Sequence, residues 1–270
     1  MSTHSSYVGV SGFMSSAEVC AALEVFPACG RQLMVGVLAS SKTLCGLPNK
    51  YPRRYPLAAD IAGIFVDDAR ALNLVHVATD GDKSTVDGKL IPIEIDLWRG
   101  FLAGGPLCHG VQLNGATQRL RPEALHAFKA MCPTAKHIVL QVGPRWLDAR
   151  SAADSFMKSL ARYAGTATDI LLDVSGGNGR LINPETAREL VVDARRSLAH
   201  WGIAADRMGI GIAGGLCAET LPGIRGLLEE QGPLSIDMEG RIRDDADGGG
   251  NMDLDKMRAA LAVAGRVVTR

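Results

Sequence analysis

The sequence predicts an α/β protein in which eight strand–helix units close into a single (β/α)₈ barrel. Short apolar runs alternate with longer segments of helical period along the whole chain, and there are eight such pairs. The runs are apolar throughout, as in Ile170-Leu171-Leu172 and Ile210-Gly211-Ile212, which is typical of parallel strands buried on both faces. No change of composition divides the 270 residues, so residues 1–270 are expected to form one domain. An open doubly wound sheet is the alternative.

The strands are predicted from short runs rich in Val, Ile and Leu that are bounded by Gly, Pro, Asn or Ser. In chain order they cover residues 7–13, 32–40, 72–79, 110–114, 137–142, 169–174, 208–213 and 234–238. Two connections contain too many polar residues to be strands, so residues 41–54 and 80–92 are expected to be exposed loops. The first is long for a barrel and is therefore a candidate binding loop.

The helices are predicted from apolar residues at helical spacing and from residues that favour a helix start. Ser15 or Ser16 can cap the first helix, Asn183 can cap the sixth, and Pro56 and Pro122 occur where a helix tolerates proline. The predicted helices cover residues 16–26, 56–66, 93–103, 121–132, 152–163, 183–200, 220–230 and 253–267. Each helix returns the chain to the start of the next parallel strand.

Composition argues against several classes of function. There are 29 basic and 29 acidic residues, so no net charge favours nucleic acid or an anionic membrane as a partner. No apolar stretch is long enough to span a bilayer, the first residues contain no apolar signal core, and a cytoplasmic location is expected. The six cysteines form no CxxC pair and the histidines no HxxxH pair, so neither a metal nor an organic cofactor is expected, whereas oligomers remain possible.

In a (β/α)₈ barrel the chemistry lies on the loops that follow the strands. Here those positions are polar and rich in glycine. They are Ser11-Gly12, residues 40–42, Thr79-Asp80, Asn114-Gly115, Gln141, residues 173–179, residues 213–215 and residues 237–241. His76 falls inside a strand and is expected to be a core residue or to support the residues that contact the ligand. A small-molecule ligand is therefore the expected partner.

Four of these segments resemble motifs of the phosphoribosylanthranilate isomerase family. Residues 173–179 (Asp-Val-Ser-Gly-Gly-Asn-Gly) are similar to that family's Asp-Ser-x-Gly-Gly-Thr-Gly after strand six. Residues 213–216 match its Ala-Gly-Gly-Leu, residues 111–115 resemble its Val-Gln-Leu-His-Gly, and residues 10–13 stand where it carries Ile-Cys-Gly-Leu. The motifs occur in the family's order. The resemblance implies a (β/α)₈ barrel that isomerises a phosphorylated sugar derivative.

The resemblance also implies catalytic roles. Asp173 takes the position of the family's general acid, and Ser11 takes the position of its thiolate base. Because a hydroxyl is a far weaker acid than a thiol, Ser11 needs an activating partner, and Lys42 is one candidate. Glu239 is a second candidate acid/base group, placed to face Asp173.

The expected substrate site lies among the glycines and on the long loop. The resemblance places phosphate near Gly176, Gly177, Gly179, Gly214, Gly215 and Gly240. Arg241 replaces part of the family's Ser-Ser-Gly cradle, Asn114 replaces its histidine, and Arg54 is a candidate for an anionic substrate group. Two alternatives stay open: a lyase or aldolase that uses Lys42 as a Schiff-base amine, and a barrel that binds a sugar phosphate without catalysis.

Overall fold

The computed structural model describes most of the chain. The described residues are 5–79, 85–86, 89–114, 120–143, 161–173, 181–204, 207–244 and 250–269, and at 85–86, 89–90 and 161 only the backbone is described. Among the described helices, none is long and apolar enough to cross a membrane.

Eight parallel strands form a closed barrel, which confirms the predicted fold class. They are β1 (Val8–Ser11), β2 (Leu33–Ser40), β3 (Ala71–Ala78), β4 (Gly110–Asn114), β5 (His137–Val142), β6 (Asp169–Asp173), β7 (Gly209–Ala213) and β8 (Ser235–Met238). Each strand pairs with its neighbours in sequence, and β8 pairs with β1 to close the ring. All the C-terminal strand ends therefore lie at the same end of the barrel.

Helices connect the strands. They are α1 (Ser16–Val25), α2 (Ser41–Leu44), α3 (Ile61–Ile64), α4 (Ile93–Ala103), α5 (Pro122–Met131), α6 (Pro184–His200), α7 (Arg225–Gln231) and α8 (Leu254–Val268). Ser15 caps α1 and Asn183 caps α6 through side-chain oxygens that accept backbone N–H bonds, as the sequence predicts. One-turn 3₁₀ helices are found at Ala58–Asp60, Gly105–Leu107, Ala161–Tyr163, Leu221–Ile224 and Gly240–Ile242.

Two predicted elements in the first half of the chain are wrong. Residues 56–66 do not form one helix, because the chain becomes extended at Phe65 and buries that ring behind the four-residue α3. Residues 41–54 are not irregular from their start. They begin with α2, where Ser40 and Thr43 bond each other's backbone N–H in a capping box.

Smaller differences affect the ends of elements and one loop. Strand β1 ends at Ser11 instead of residue 13, because Gly12 turns the chain with a φ of 94°. The loop at 80–92 contains a short antiparallel hairpin, Thr85–Val86 with Lys89–Leu90. The helix predicted at 152–163 lies outside the described residues except for the turn at Ala161–Tyr163.

The core has two parts, because successive side chains on a strand point to opposite faces. The larger part lies between strands and helices, and it includes Val35, Val75 and Val111. The smaller part lies inside the barrel. It consists of Tyr7, Met34, Leu72, Leu74, Val139, Leu171 and Ala213. This cluster packs the inside of the barrel with apolar side chains.

Gly110 tests how closely β4 approaches β5. A Cβ atom at this position would lie 1.9 Å from the carbonyl oxygen of His137, which is backbone and cannot turn aside. We expect Gly110→Ala to lower the free energy of unfolding by about 3 kcal/mol or more, at the upper end of overpacking costs. Urea denaturation measures this. The control is Gly63→Ala, where the added Cβ meets open space in α3. Equal stability of the two variants would contradict the described register.

Candidate active site

Polar side chains follow the apolar layer inside the barrel, toward the C-terminal ends of the strands. The alternation that points Leu72 and Leu74 inward also points His76 inward, and Leu171 is followed in the same way by Asp173. This polar layer consists of Ser11 on β1, His76 on β3, Gln112 on β4, Gln141 on β5, Asp173 on β6 and Asp237 on β8, each less than 9% exposed. It occupies the end of the fold where barrel enzymes carry their chemistry.

Asp237 is held by two hydrogen bonds from neighbouring groups. The hydroxyl of Ser11 lies 3.0 Å from Oδ1 and 3.2 Å from Oδ2, and Nε2 of Gln112 lies 3.3 Å from Oδ2. Space for the Ser11 side chain comes from Gly36 on β2, because a Cβ there would lie 2.5 Å from Ser11 Oγ. Gly9 leaves room for the carboxylate itself, since a Cβ there would lie 2.8 Å from Oδ1.

Asp173 joins the same network from β6, which is separated from β8 by β7 alone. Gln141 donates from Nε2 to Asp173 Oδ2 at 2.7 Å, and its Oε1 lies 2.9 Å from Nε2 of His76. His76 Nε2 is in turn 2.5 Å from Nε2 of Gln112, which reaches Asp237. Two carboxylates are therefore connected through two amides and one imidazole, inside a space with little contact to water.

Burial gives Asp237 an unusual acidity. Its pKa is raised from 3.8 to about 7. Burial is the largest cause, the negative charges of Glu239 and Asp173 add to it, and the hydrogen bonds from Gln112 and Ser11 oppose it. A carboxyl group with this pKa can hold or release a proton near neutral pH, which is what a general acid/base catalyst needs.

His76 is shifted toward its neutral form. Burial lowers the pKa of the imidazole, and the charge of Glu239 and the hydrogen bond to Gln141 oppose that shift. A neutral imidazole carries one N–H, so Nε2 either donates to Gln141 or accepts from Gln112. His76 is therefore a buried member of the polar network and contacts Gln141 and Gln112.

Glu239 forms a salt bridge above Asp237. Its Oε1 accepts from Nε of Arg54 at 2.6 Å and also contacts Nη2 of Arg54, and both side chains are about 15% exposed. The buried Arg243 places Nη2 4.0 Å from the same oxygen and donates to the carbonyls of Gly12 and Gly250. Arg54 was expected to bind a substrate anion, but the structure pairs it with Glu239 and so ties the long loop after β2 to the end of β8.

The other predicted site residues lie outside the polar network or outside the described residues. Lys42 is exposed on α2, and the partner found for Ser11 is Asp237 instead of the Lys42 ammonium. Asn114 ends β4 and is partly buried, Gly240 begins a 3₁₀ turn, and Arg241 is exposed. Gly214 and Gly215 follow β7 with φ values of 127° and 59°. The glycines at 176, 177 and 179 lie outside the described residues.

Sequence reasoning missed Asp237, Gln112 and Gln141 as working parts of the site. The signal is the two-residue period on a strand, which places Asp237 on the same face as Ser235 and Gln112 on the same face as Asn114. Among the described residues, no three His, Cys, Asp or Glu side chains are grouped so that they could hold a metal ion.

Solved structures share this fold. Triosephosphate isomerase from Bartonella henselae matches with a TM-score of 0.55 and 10% identity, over 87% of this chain and 92% of that one. The carboxyl transferase domain of Rhizobium etli pyruvate carboxylase, with 3-bromopyruvate, matches with a TM-score of 0.54 and 13% identity, over 98% of this chain and 48% of that one. The glycoside hydrolase domain of PgaB (BpsB) from Bordetella bronchiseptica gives 0.50 and 9%, over 88% and 95%.

No protein-family model matches the chain, and no curated sequence is significantly similar to it. At identities of 9–13% the structural matches show the fold alone. The chain is a (β/α)₈ barrel of the kind found in an isomerase and a glycoside hydrolase.

The acidity of Asp237 predicts a pH-dependent stability. Because the pKa rises from 3.8 unfolded to about 7 folded, the native state keeps a proton that the unfolded chain has lost. The contribution of Asp237 to the free energy of unfolding is therefore largest below about pH 4. It falls by at most about 4 kcal/mol as the pH rises to about 7. His76 has the opposite dependence, since its lowered pKa costs stability as pH falls below its ordinary 6.5.

Asp237→Asn separates the two effects. We expect the free energy of unfolding of this variant, relative to wild type, to rise between about pH 4.5 and about pH 8, because only the wild type loses stability at position 237. Urea denaturation at several pH values measures the difference. Asp193→Asn, at an exposed position on α6, is the control and should run parallel to wild type. A constant difference for Asp237→Asn would show that its pKa is not raised.

Proposed function

We propose that this barrel is an acid/base isomerase for a small, phosphorylated, sugar-like substrate, and a divergent relative of the phosphoribosylanthranilate isomerases. The observation that carries the proposal is the polar network in which Asp173 and Asp237 are joined through Gln141, His76 and Gln112 at the C-terminal end of the barrel. Isomerisation moves a proton from one atom of a substrate to another, so it needs one group that gives a proton and one that takes it.

The geometry suggests how a serine can stand where the related enzymes carry a thiol. Ser11 donates to Asp237 at 3.0 Å, so the hydroxyl can pass its proton to the carboxylate as it takes one from the substrate carbon. The base is then Asp237, acting directly or through Ser11. Asp173, two strands away on β6, keeps the role of the acid that the sequence resemblance gives it. No described contact brings Lys42 into this network, so a Schiff-base mechanism is not favoured.

The phosphate group is assigned to the loops after β7 and β8. Barrels commonly bind phosphate there, with backbone N–H groups directed at the oxygens. Gly214 and Gly215 have positive φ values and no side chains to block an anion. Glu239 lies next to this region, and its charge is balanced by Arg54 and Arg243.

The test is deuterium exchange into a panel of phosphorylated sugars, including phosphoribosylanthranilate, in D₂O. We expect the wild type to exchange a carbon-bound proton of at least one compound, detected by mass spectrometry. Asp173→Asn and Asp237→Asn should each slow this by about 10²- to 10⁴-fold, the usual effect of losing a positioned acid or base. The control is Asp96→Asn, a buried carboxyl on α4 that bonds Ser41 outside the network.

Other outcomes decide against the proposal. Binding of a phosphorylated sugar without exchange or turnover would favour the non-catalytic barrel. Exchange that survives both aspartate variants would place the chemistry elsewhere. If only unphosphorylated sugars raise the thermal midpoint, the phosphate assignment is wrong.

A further inference from the structure

The side-chain nitrogen of Gln112 lies near more polar atoms than its two hydrogens can bond. Its Nε2 lies 2.5 Å from His76 Nε2, 3.2 Å from Gln141 Oε1 and 3.3 Å from Asp237 Oδ2, whereas an amide nitrogen carries two hydrogens. Its Oε1 is buried and has no hydrogen-bond partner among the described residues. An unpaired buried acceptor of this kind costs free energy, so the orientation of the amide depends on what its neighbours offer.

The orientation with Nε2 toward Asp237 suits an ionised carboxylate. One N–H then donates to Asp237 Oδ2, and the other points toward His76 Nε2. At 2.5 Å two N–H donors would repel each other, so in this orientation His76 Nε2 accepts and the imidazole proton lies on Nδ1. The 2.9 Å contact between His76 Nε2 and Gln141 Oε1 is then between two acceptors and opposes this orientation. Nδ1 is buried and has no partner among the described residues.

The opposite orientation suits a protonated Asp237. When Oδ2 carries a proton it becomes a donor, and an amide turned by about 180° presents Oε1 to it. His76 then carries its proton on Nε2, where it points between Gln112 Oε1 and Gln141 Oε1 and donates to both. Oε1 then gains partners, and the short contact between two nitrogens becomes an ordinary N–H···O bond. The amide nitrogen takes the buried place where Oε1 had no partner, so the turn is favourable only when Asp237 and His76 both donate.

We propose that Gln112 is a positioning residue whose amide turns over when Asp237 takes up a proton, and that this turnover changes the tautomer of His76. Asp237 gains one proton from the substrate. The imidazole stays neutral, because Nδ1 loses a proton to water as Nε2 gains one from water. The inference rests on the proposed function, since it describes how the rest of the site follows a proton that arrives at Asp237.

Several charged or titratable groups surround Asp237. They are Tyr7 just before β1, His76 on β3, Asp173 on β6, Glu239 after β8, and Arg54, which pairs with Glu239. His76 contacts the Gln112 amide, and so does Asp237 itself. The coupling is therefore assigned to this contact, and the other groups set only where Asp237 titrates.

Nuclear magnetic resonance on the full chain tests the coupling without substrate. The side-chain carbon of Asp237 and the ring nitrogens of His76 are followed together from about pH 5 to about pH 9, around the pKa of about 7 for Asp237. We expect the nitrogen shifts of His76 to report Nε2–H at low pH and Nδ1–H at high pH, with the same midpoint as Asp237. A His76 tautomer that stays constant while Asp237 titrates overturns the proposal.

Two variants of equal shape locate the coupling. Gln112→Met keeps the length of the side chain but has no amide. Asp237 should still titrate in this variant, whereas the change of the His76 tautomer (the coupled step) should be lost. Gln141→Met is the control, because it removes the other amide and leaves the contacts of Gln112 to Asp237 and His76. Persistence of the step in Gln112→Met, or its loss only in Gln141→Met, contradicts the assignment. If Gln112→Met does not fold, Asp237→Asn takes its place and should abolish the step.

The outcomes separate this inference from the proposed function. A coupled step without deuterium exchange on any substrate would leave Gln112 in its role and refute the isomerase. Exchange without a coupled step would support the isomerase and refute the role of Gln112.

Discussion

The carboxylate of Asp237 lies among protein atoms inside the barrel, and its burial sets the requirements for the surrounding residues. An ionised group in such a place is costly unless neighbours donate hydrogen bonds to it. Ser11 and Gln112 do so, and each needs space. Ser11 fits because β2 carries Gly36 beside it, and the carboxylate fits because β1 carries Gly9. The apolar layer below, with Leu74 and Leu171, closes the barrel beneath the network and favours the protonated form of Asp237.

Electrostatic balance explains why the loop after β2 matters to residues on β8. Asp173, Asp237 and Glu239 bring three carboxyl groups to one end of the barrel, and the charges of Asp173 and Glu239 both raise the pKa of Asp237. Arg54 offsets part of this charge through its salt bridge with Glu239, and Arg243 lies 4.0 Å from the same carboxylate. Arg54 reaches this position because Tyr51 accepts a backbone N–H bond from Arg54 in a turn near the middle of the loop. Loop conformation and the acidity of Asp237 are therefore connected through Glu239.

The sequence predicts the fold well and the site in part. Eight apolar runs are enough to predict the strands, because parallel strands buried on both faces consist mostly of apolar residues. Asp173 and Ser11 are found because they end strands in recognisable motifs. Asp237 is given no role, because Glu239 lies two residues further along, on the loop itself, where a barrel is expected to carry its chemistry. Pairing across the barrel is also hidden, since Ser11 and Asp237 are 226 positions apart in the chain. No local pattern reports such a contact.

In the proposed mechanism, Ser11 and Asp237 share the role of one base. A thiol can serve as a base because its own pKa lies close to neutrality, whereas a serine hydroxyl remains protonated and needs an acceptor. Here the acceptor is on the adjacent strand β8, and it has the acidity that the hydroxyl lacks, with a pKa of about 7. In the proposed function the two side chains together provide what one thiol provides in the phosphoribosylanthranilate isomerases, which the sequence resembles. A change at position 11 alone would leave a hydroxyl without an acceptor, so Ser11 and Asp237 make chemical sense only as a pair.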